Sequence, residues 1–194
     1  MAATPPYVET EIKLRYRGTP EDGRRLIEQR GYRLIEPRTL ESDQLFDRAG
    51  AELRSADKLL RLRRAGARAF LTFKGPGTRE RHKSREEIEL EIPDPGALTS
   101  ILERLGYSAV FRYEKYRTKF AAPGEPGIVT LDETPMGVFL ELEGPAVWID
   151  QAAERLAFTP ADYLTGSYAS LYREYRRAHE EAPMNMVFGD LGTA

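Results

Sequence analysis

The chain has 194 residues, 41% of them hydrophobic and 31% charged, which suits one folded domain with a core of moderate size. Its 29 Lys+Arg stand against 31 Asp+Glu, a net charge of −2, so no global pull toward nucleic acid or an anionic membrane is expected. With no cysteine, disulfides, thiolate catalysis and zinc–thiolate sites are excluded, and His82 and His179 alone make a histidine triad or metal site a poor expectation. The opening MAATPPYVE lacks a cationic stretch followed by an apolar one, and no apolar run approaches a membrane span, so a soluble cytoplasmic protein is expected.

The first element, VETEIKLRY (8–16), alternates: Val8, Thr10, Ile12, Leu14 and Tyr16 take one face of a strand, and Glu9, Glu11, Lys13 and Arg15 the other. A helix follows over 19–32, with Thr19 as cap, Pro20 in the first turn and Gly31 as terminator. DQLFD (43–47) reads as a weaker strand. LLRLRR (59–64) sets Arg61 and Arg63 against Leu60 and Leu62, AFLTFKG (69–75) sets Thr72 and Lys74 against Leu71 and Phe73, and SREEIELEI (84–92) sets Arg85, Glu87, Glu89 and Glu91 against Ile88, Leu90 and Ile92. A second helix at 94–107 repeats the first one's recipe with Asp94, Pro95 and Gly106, and LIEQRGYRL faintly echoes ILERLGYSA. Further strands are EKYRTKF (114–120), GIVTLDE (127–133) and VFLELEG (138–144); further helices are expected at 148–158 and 162–181. In the last helix Tyr168, Leu171, Tyr172 and Tyr175 form a packing stripe, and 183–194 is a tail after a single domain, 1–182. Short strands joined by turns such as RAGAR, PGEPG and PMG imply an antiparallel meander.

One charged strand face is ordinarily just wet, or an edge guarded by cations. Here the signs are sorted by strand, with acids at 87, 89, 91, 141 and 143 and bases at 61, 63, 115, 117 and 119. Their opposite faces are apolar enough to lie under amphipathic helices. A sheet curled with its charged face inward gives an α+β fold, a barrel with facing acidic and basic walls. Buried charges need partners. Clustered carboxylates suit Mg²⁺ or Mn²⁺, and arginine forks suit phosphate oxygens. Together they describe a seat for a metal–polyphosphate chain. No Walker, Rossmann or kinase motif competes.

ETEIK (9–13) resembles the ExExK signature of CYTH proteins, the triphosphate tunnel metalloenzymes, and the likeness continues in order through FD (46–47), LRLRR, LTFKGP, SREEIELE, EKYRTKF, TLDE and GVFLELEG. The resemblance implies an eight-stranded antiparallel β-barrel, a charged triphosphate tunnel with helices packed outside. It implies metal ligation by Glu9, Glu11, Glu141 and Glu143 with Asp132 beside them, and phosphate binding by Lys13, Arg61, Arg63, Lys74, Arg85, Lys115 and Arg117. Glu87 and Glu89 fall where a second metal or the attacking water is handled, and Lys13, Lys74 and Glu89 are the catalytic candidates. The implied activity is Mg²⁺- or Mn²⁺-dependent hydrolysis of tripolyphosphate or a nucleoside triphosphate. Its alternatives are a class IV adenylyl cyclase or a non-catalytic polyphosphate-binding module. The expected partner is a small-molecule triphosphate, without nucleic acid or membrane, bound by a monomer or homodimer. Two positions depart from the pattern: Gly166 stands where relatives have a lysine, and Leu45 where the thiamine triphosphatase branch has a tyrosine, which weakens that reading.

Overall fold

The computed structural model describes residues 7–189. The alternating segments form strands β1 (Tyr7–Tyr16), β2 (Arg33–Asp47), β3 (Leu59–Ala65), β4 (Arg68–Arg79), β5 (Lys83–Glu91), β6 (Ser108–Ala121), β7 (Ile128–Thr134) and β8 (Gly137–Glu143). They pair in the order β5-β4-β3-β2-β6-β7-β8-β1, and a β1–β5 pairing closes the ring into the expected eight-stranded antiparallel barrel. A two-residue strand, β9 (Tyr163–Leu164), adds to β1 at Lys13 and Leu14, beyond the stretch that β5 covers. The helices are α1 (Pro20–Gln29), α2 (Glu52–Ser55), α3 (Pro95–Arg104), α4 (Ala146–Arg155) and α5 (Tyr168–Ala178). None among the described residues is long and apolar enough to cross a membrane.

The faint sequence echo has a structural counterpart. Apart from the short α2 between β2 and β3, each half of the chain runs strand–helix–strand–strand–strand, with α1 leading into β2 and α3 into β6. Those two long strands pair with each other, and the first strand of each half lies beside the last strand of the other. The closed ring thereby brings β1 against β8, from opposite ends of the sequence.

Outward-facing apolar residues form the core. Ile12, Leu14, Phe120, Val129, Leu131, Leu140 and Leu142 pack under Ile27 of α1 and Ile149, Ala152 and Ala153 of α4. Leu102 of α3 covers Phe46 and Leu62. The helices start where the sequence supplies caps: Thr19 and Asp22 form a capping box on α1, and the Asp94 carboxylate accepts from Gly96 and Ala97. α5 packs at one end of the barrel, where Tyr168, Leu171 and Tyr172 meet Tyr113 and Phe139, with Leu45 and Phe111 alongside. Tyr113, Phe139 and Leu45 belong to the inward series of β6, β8 and β2, so this cluster stoppers the end it occupies.

Several expectations shift, among them β4 and β6, which run well beyond 69–75 and 114–120. β2 extends over Arg33–Asp47, far beyond 43–47. Leu34, Ile35 and Leu40 in its first half are all exposed, so that stretch has no buried face to impose alternation. The helix expected at 162–181 begins only at Tyr168, capped by Ser167, because Tyr163 and Leu164 are taken by β1. The four-residue α2 was not anticipated. In the tail, Met186 is fully buried and its backbone bonds Arg112 and Glu114 of β6; residues 190–194 lie outside the described ones.

Close approach rather than backbone angle explains Gly127. The Trp148 ring lies against it, and a Cβ there would sit 2.2 Å from a ring carbon. The indole is fixed by its N–H bond to Glu125, 2.7 Å long, and by the core beneath it. Gly127→Ala is expected to destabilise the protein by about 1–3 kcal/mol, read as a lower midpoint in urea unfolding. An unchanged midpoint would mean that Trp148 shifts without cost.

Candidate active site

The inward faces enclose a cavity of about 540 Å³ whose lining is mostly charged. Cross-strand register assembles one wall: Glu11 lies opposite Glu143 and Lys13 opposite Glu141, with Glu9 one pleat along β1. Arg61 and Arg63 of β3, Lys74 of β4 and Lys115 and Arg117 of β6 line other sides of the same cavity.

Few of these charges stand alone. The Lys13 ammonium lies 2.9 Å from both Glu11 and Glu141. Lys74 pairs with Glu9 and, at 2.7 Å, with Glu87. Arg117 donates to Asp132 at 2.7 and 2.6 Å and to Glu141 at 2.9 Å. Lys115 reaches Asp132 at 2.9 Å, and Arg63 reaches Asp43 at 2.8 Å and Glu41 at 3.1 Å. Arg61 is held more loosely, 3.5–3.8 Å from Asp43, Glu87 and Glu89, with a 3.1 Å bond to Thr72. Loose pairing leaves its fork available to a ligand.

Several residues sit differently from the implied pattern. Asp132 is fully buried and absent from the cavity lining; Arg117, Lys115 and the Tyr168 hydroxyl (2.6 Å) take its oxygens. It therefore anchors cations rather than facing a ligand. Arg85 lines the cavity but donates to the carbonyls of Asp57, Lys74 and Gly75. The cause is a bulge in β4, where the register with β5 slips between Lys74 and Gly77. Glu87 is part of the cluster, whereas the Glu89 side chain is 43% exposed at the rim, accepting from Thr72 at 2.8 Å. A Cβ on Gly166 would meet Ser170 at 2.9 Å.

Other residues were not marked by the sequence. Glu41 and Asp43 of β2 back the cation wall, but their opposite neighbours Ser42 and Gln44 are also polar, so no alternation flagged them. Tyr168 belongs to the packing stripe, yet its hydroxyl reaches Asp132 and its ring lies 5.3 and 4.9 Å from the Lys13 and Lys115 ammoniums. Lys83, beside a hairpin turn, is buried with its ammonium 2.5 Å from Glu11.

Similarity to known proteins agrees with this geometry. The CYTH domain family profile matches residues 8–156. The chain belongs to the CYTH domain family. A candidate adenylate cyclase of Methanocaldococcus jannaschii is 30% identical over 139 residues, 70% of this chain and 76% of that protein. The structure of the PH1819 protein of Pyrococcus horikoshii superimposes with a TM-score of 0.71 at 27% identity, covering 87% of this chain and 99% of that one. A Hippeastrum protein described as a candidate adenylyl cyclase with dominant triphosphatase activity shares the fold, with a TM-score of 0.63 at 19% identity over 86% of this chain and 96% of that one.

In this CYTH domain the donor set Glu9, Glu11, Glu141 and Glu143 is all oxygen, as a hard divalent cation requires. Among the described residues no three acids already form a metal-holding group, because ammoniums stand on Glu9, Glu11 and Glu141. Glu143 makes no ion pair within 4.0 Å among the described residues. Burial first, then the Glu9 and Glu141 carboxylates, push it up to about 7, against the pull of Arg117. That crowding of acids is what a bound cation would relieve, so the residues fit a divalent metal. Lys13 is opposed by burial, but Glu11 and Glu141 outweigh it and raise its pKa above the ordinary lysine value. It therefore serves as a fixed cation, a poor proton acceptor.

A raised acid favours the fold below its unfolded-state pKa, and that stability is lost as pH rises through the folded value. For Glu143 the window runs from the ordinary carboxylate value of 4.5 to about 7. Glu143→Gln is therefore expected to be more stable than the parent at pH 8 in metal-free buffer, by on the order of 2 kcal/mol, and no more stable at pH 4. Denaturant unfolding at both values checks this; equal differences at the two would exclude the crowding.

Proposed function

We propose that this CYTH domain hydrolyses a triphosphate, inorganic tripolyphosphate or a nucleoside triphosphate, with Mg²⁺ or Mn²⁺. The observation that carries the reading is one cavity whose carboxylate wall, Glu9, Glu11, Glu141 and Glu143, accompanies a cation wall built from β3, β4 and β6. A divalent cation held by those glutamates supplies Lewis-acid neutralisation of charge on phosphoryl oxygens. Arg61, Arg63, Lys115 and Arg117 bind and align the phosphate chain; the last three are already oriented by acids, so they reorganise little on binding. Lys13 and Lys74 offset developing negative charge as permanent cations. Glu89, at the rim and in contact with solvent, is placed to orient a water and pass its proton outward.

The lining offers a purine little. Tyr113 and Tyr168 are its aromatic residues, and both are buried in the stopper cluster. The cyclase reading is favoured by the name of the M. jannaschii relative. Product analysis with tripolyphosphate, ATP, GTP and thiamine triphosphate, each with Mg²⁺ and Mn²⁺, separates the readings. Phosphate release without cyclic AMP supports hydrolysis; cyclic AMP overturns it; binding without turnover leaves a polyphosphate-binding module. Arg61→Ala, which breaks only loose pairs, is expected to lower kcat/KM about 10–100-fold, the worth of one charge-assisted contact, with the unfolding midpoint nearly unchanged. Undiminished kcat/KM would take Arg61 out of the site.

A further inference from the structure

Lys83 begins β5, beside a hairpin turn where a lysine could point into water at no cost. Instead it is 4% exposed, and its ammonium lies 2.5 Å from Glu11 Oε1 inside the cavity. Burying an ammonium and ordering its long stem are both expensive. Yet Glu11 already has a cation, since Lys13 stands 2.9 Å from its other oxygen. Two ammoniums thus occupy the two oxygens of one carboxylate, matching the charge of a divalent ion. Lys74 stands on Glu9 in the same manner.

We infer that Lys83 is an exchangeable counter-cation: it occupies Glu11 when no ligand is bound and transfers to the phosphate chain when a divalent cation takes that carboxylate. The inference rests on the proposed metal–triphosphate reading and assigns to Lys83 a role that its place beside a turn did not suggest. A cation arriving alone must displace an ammonium and strand it in the cavity. A polyphosphate arriving alone must draw the ammonium away from Glu11 and strand the carboxylate. Arriving together, each ligand provides what the other displaces, so their binding is positively coupled through this side chain.

The test is equilibrium binding on the intact protein, with no turnover needed. Mn²⁺ alone is followed by its free-ion paramagnetic resonance signal, and tripolyphosphate alone by calorimetry in metal-free buffer. Lys83→Met is expected to tighten Mn²⁺ binding roughly tenfold and weaken tripolyphosphate binding by a similar factor, within the usual range of coupling between sites. Lys83→Arg is expected to return both toward the parent. Opposite signs distinguish this role from structural damage, which weakens both ligands; if Met is not accepted in the fold, Lys83→Gln carries the same expectation. Unchanged or weaker Mn²⁺ binding in the charge-neutral variant overturns the inference while leaving the triphosphatase reading intact. Tighter Mn²⁺ binding by a variant whose parent has no affinity for tripolyphosphate upholds the lysine's seat on Glu11 but overturns its transfer, and the substrate reading with it.

Discussion

Every other feature of this barrel depends on placing many charges inside it while leaving almost none of them unpaired. A single uncompensated buried ion costs several kcal/mol, comparable to the whole stability of a domain. The solution is layered. Asp43 and Asp132, with no exposure at all, stand behind the cavity surface, and Glu41 lies outside the main cavity's lining; together they hold Arg63, Lys115 and Arg117. The cations can then face a cavity because acids outside the lining neutralise them. Side chains of one type consequently have opposite roles. Loss of Asp132 removes the shortest contacts of two cations and a tyrosine hydroxyl, whereas Glu89 at the rim supports little beyond itself.

Closure makes the arrangement possible. In a closed ring every strand has two neighbours and one inward face, so charges sorted by strand become charges sorted by wall. The β1–β8 pairing joins residues 11–13 to residues 141–143, and the β2–β6 pairing joins Glu41 and Asp43 to the strand carrying Lys115 and Arg117. The outward faces of β1, β6, β7 and β8 gain the apolar core under α1 and α4. One set of strands thus does two incompatible jobs, separated by the pleat alone. At one end the inward series turns from charged to aromatic, and α5 packs there.

Legibility of the sequence follows from the same physics. Alternation is visible where one face is charged and the other apolar, so β1, β3, β5, β7 and β8 were read within a residue or two, and the facing walls with them. It disappears in β2, whose first half is exposed on both faces and whose second half sets acids against Ser42 and Gln44. Glu41 and Asp43, two of the three acids that neutralise the cation wall, are therefore hidden by the pattern, whereas Asp132 is not. Tyr168 shares the helical spacing of true packing residues, and the destination of its hydroxyl exists only in three dimensions. Lys83 follows His82 in a turn-like stretch, and nothing local distinguishes it from a solvated lysine. Arg85 looked like its neighbours on β5 until a bulge in β4 aimed carbonyls at it.

The wall of Glu9, Glu11, Glu141 and Glu143 differs from the rest of the interior in one respect. Arg63, Lys115 and Arg117 of the cation wall each have a carboxylate partner outside the cavity lining, so that part of the wall is neutralised without a ligand. On the carboxylate wall the partners of Glu9 and Glu11 are lysines that line the same cavity, Glu141 shares Lys13 with Arg117, and Glu143 is left crowded by its neighbours. The fold gains nothing from that crowding. It places a deficit of positive charge at one spot and holds long, flexible ammoniums beside it, the side chains best able to change partners without moving the backbone. A rigid cation wall and an exchangeable carboxylate wall are what a site for a metal-bound polyanion needs: one side fixes the anion's position, and the other adjusts its charge when the metal arrives.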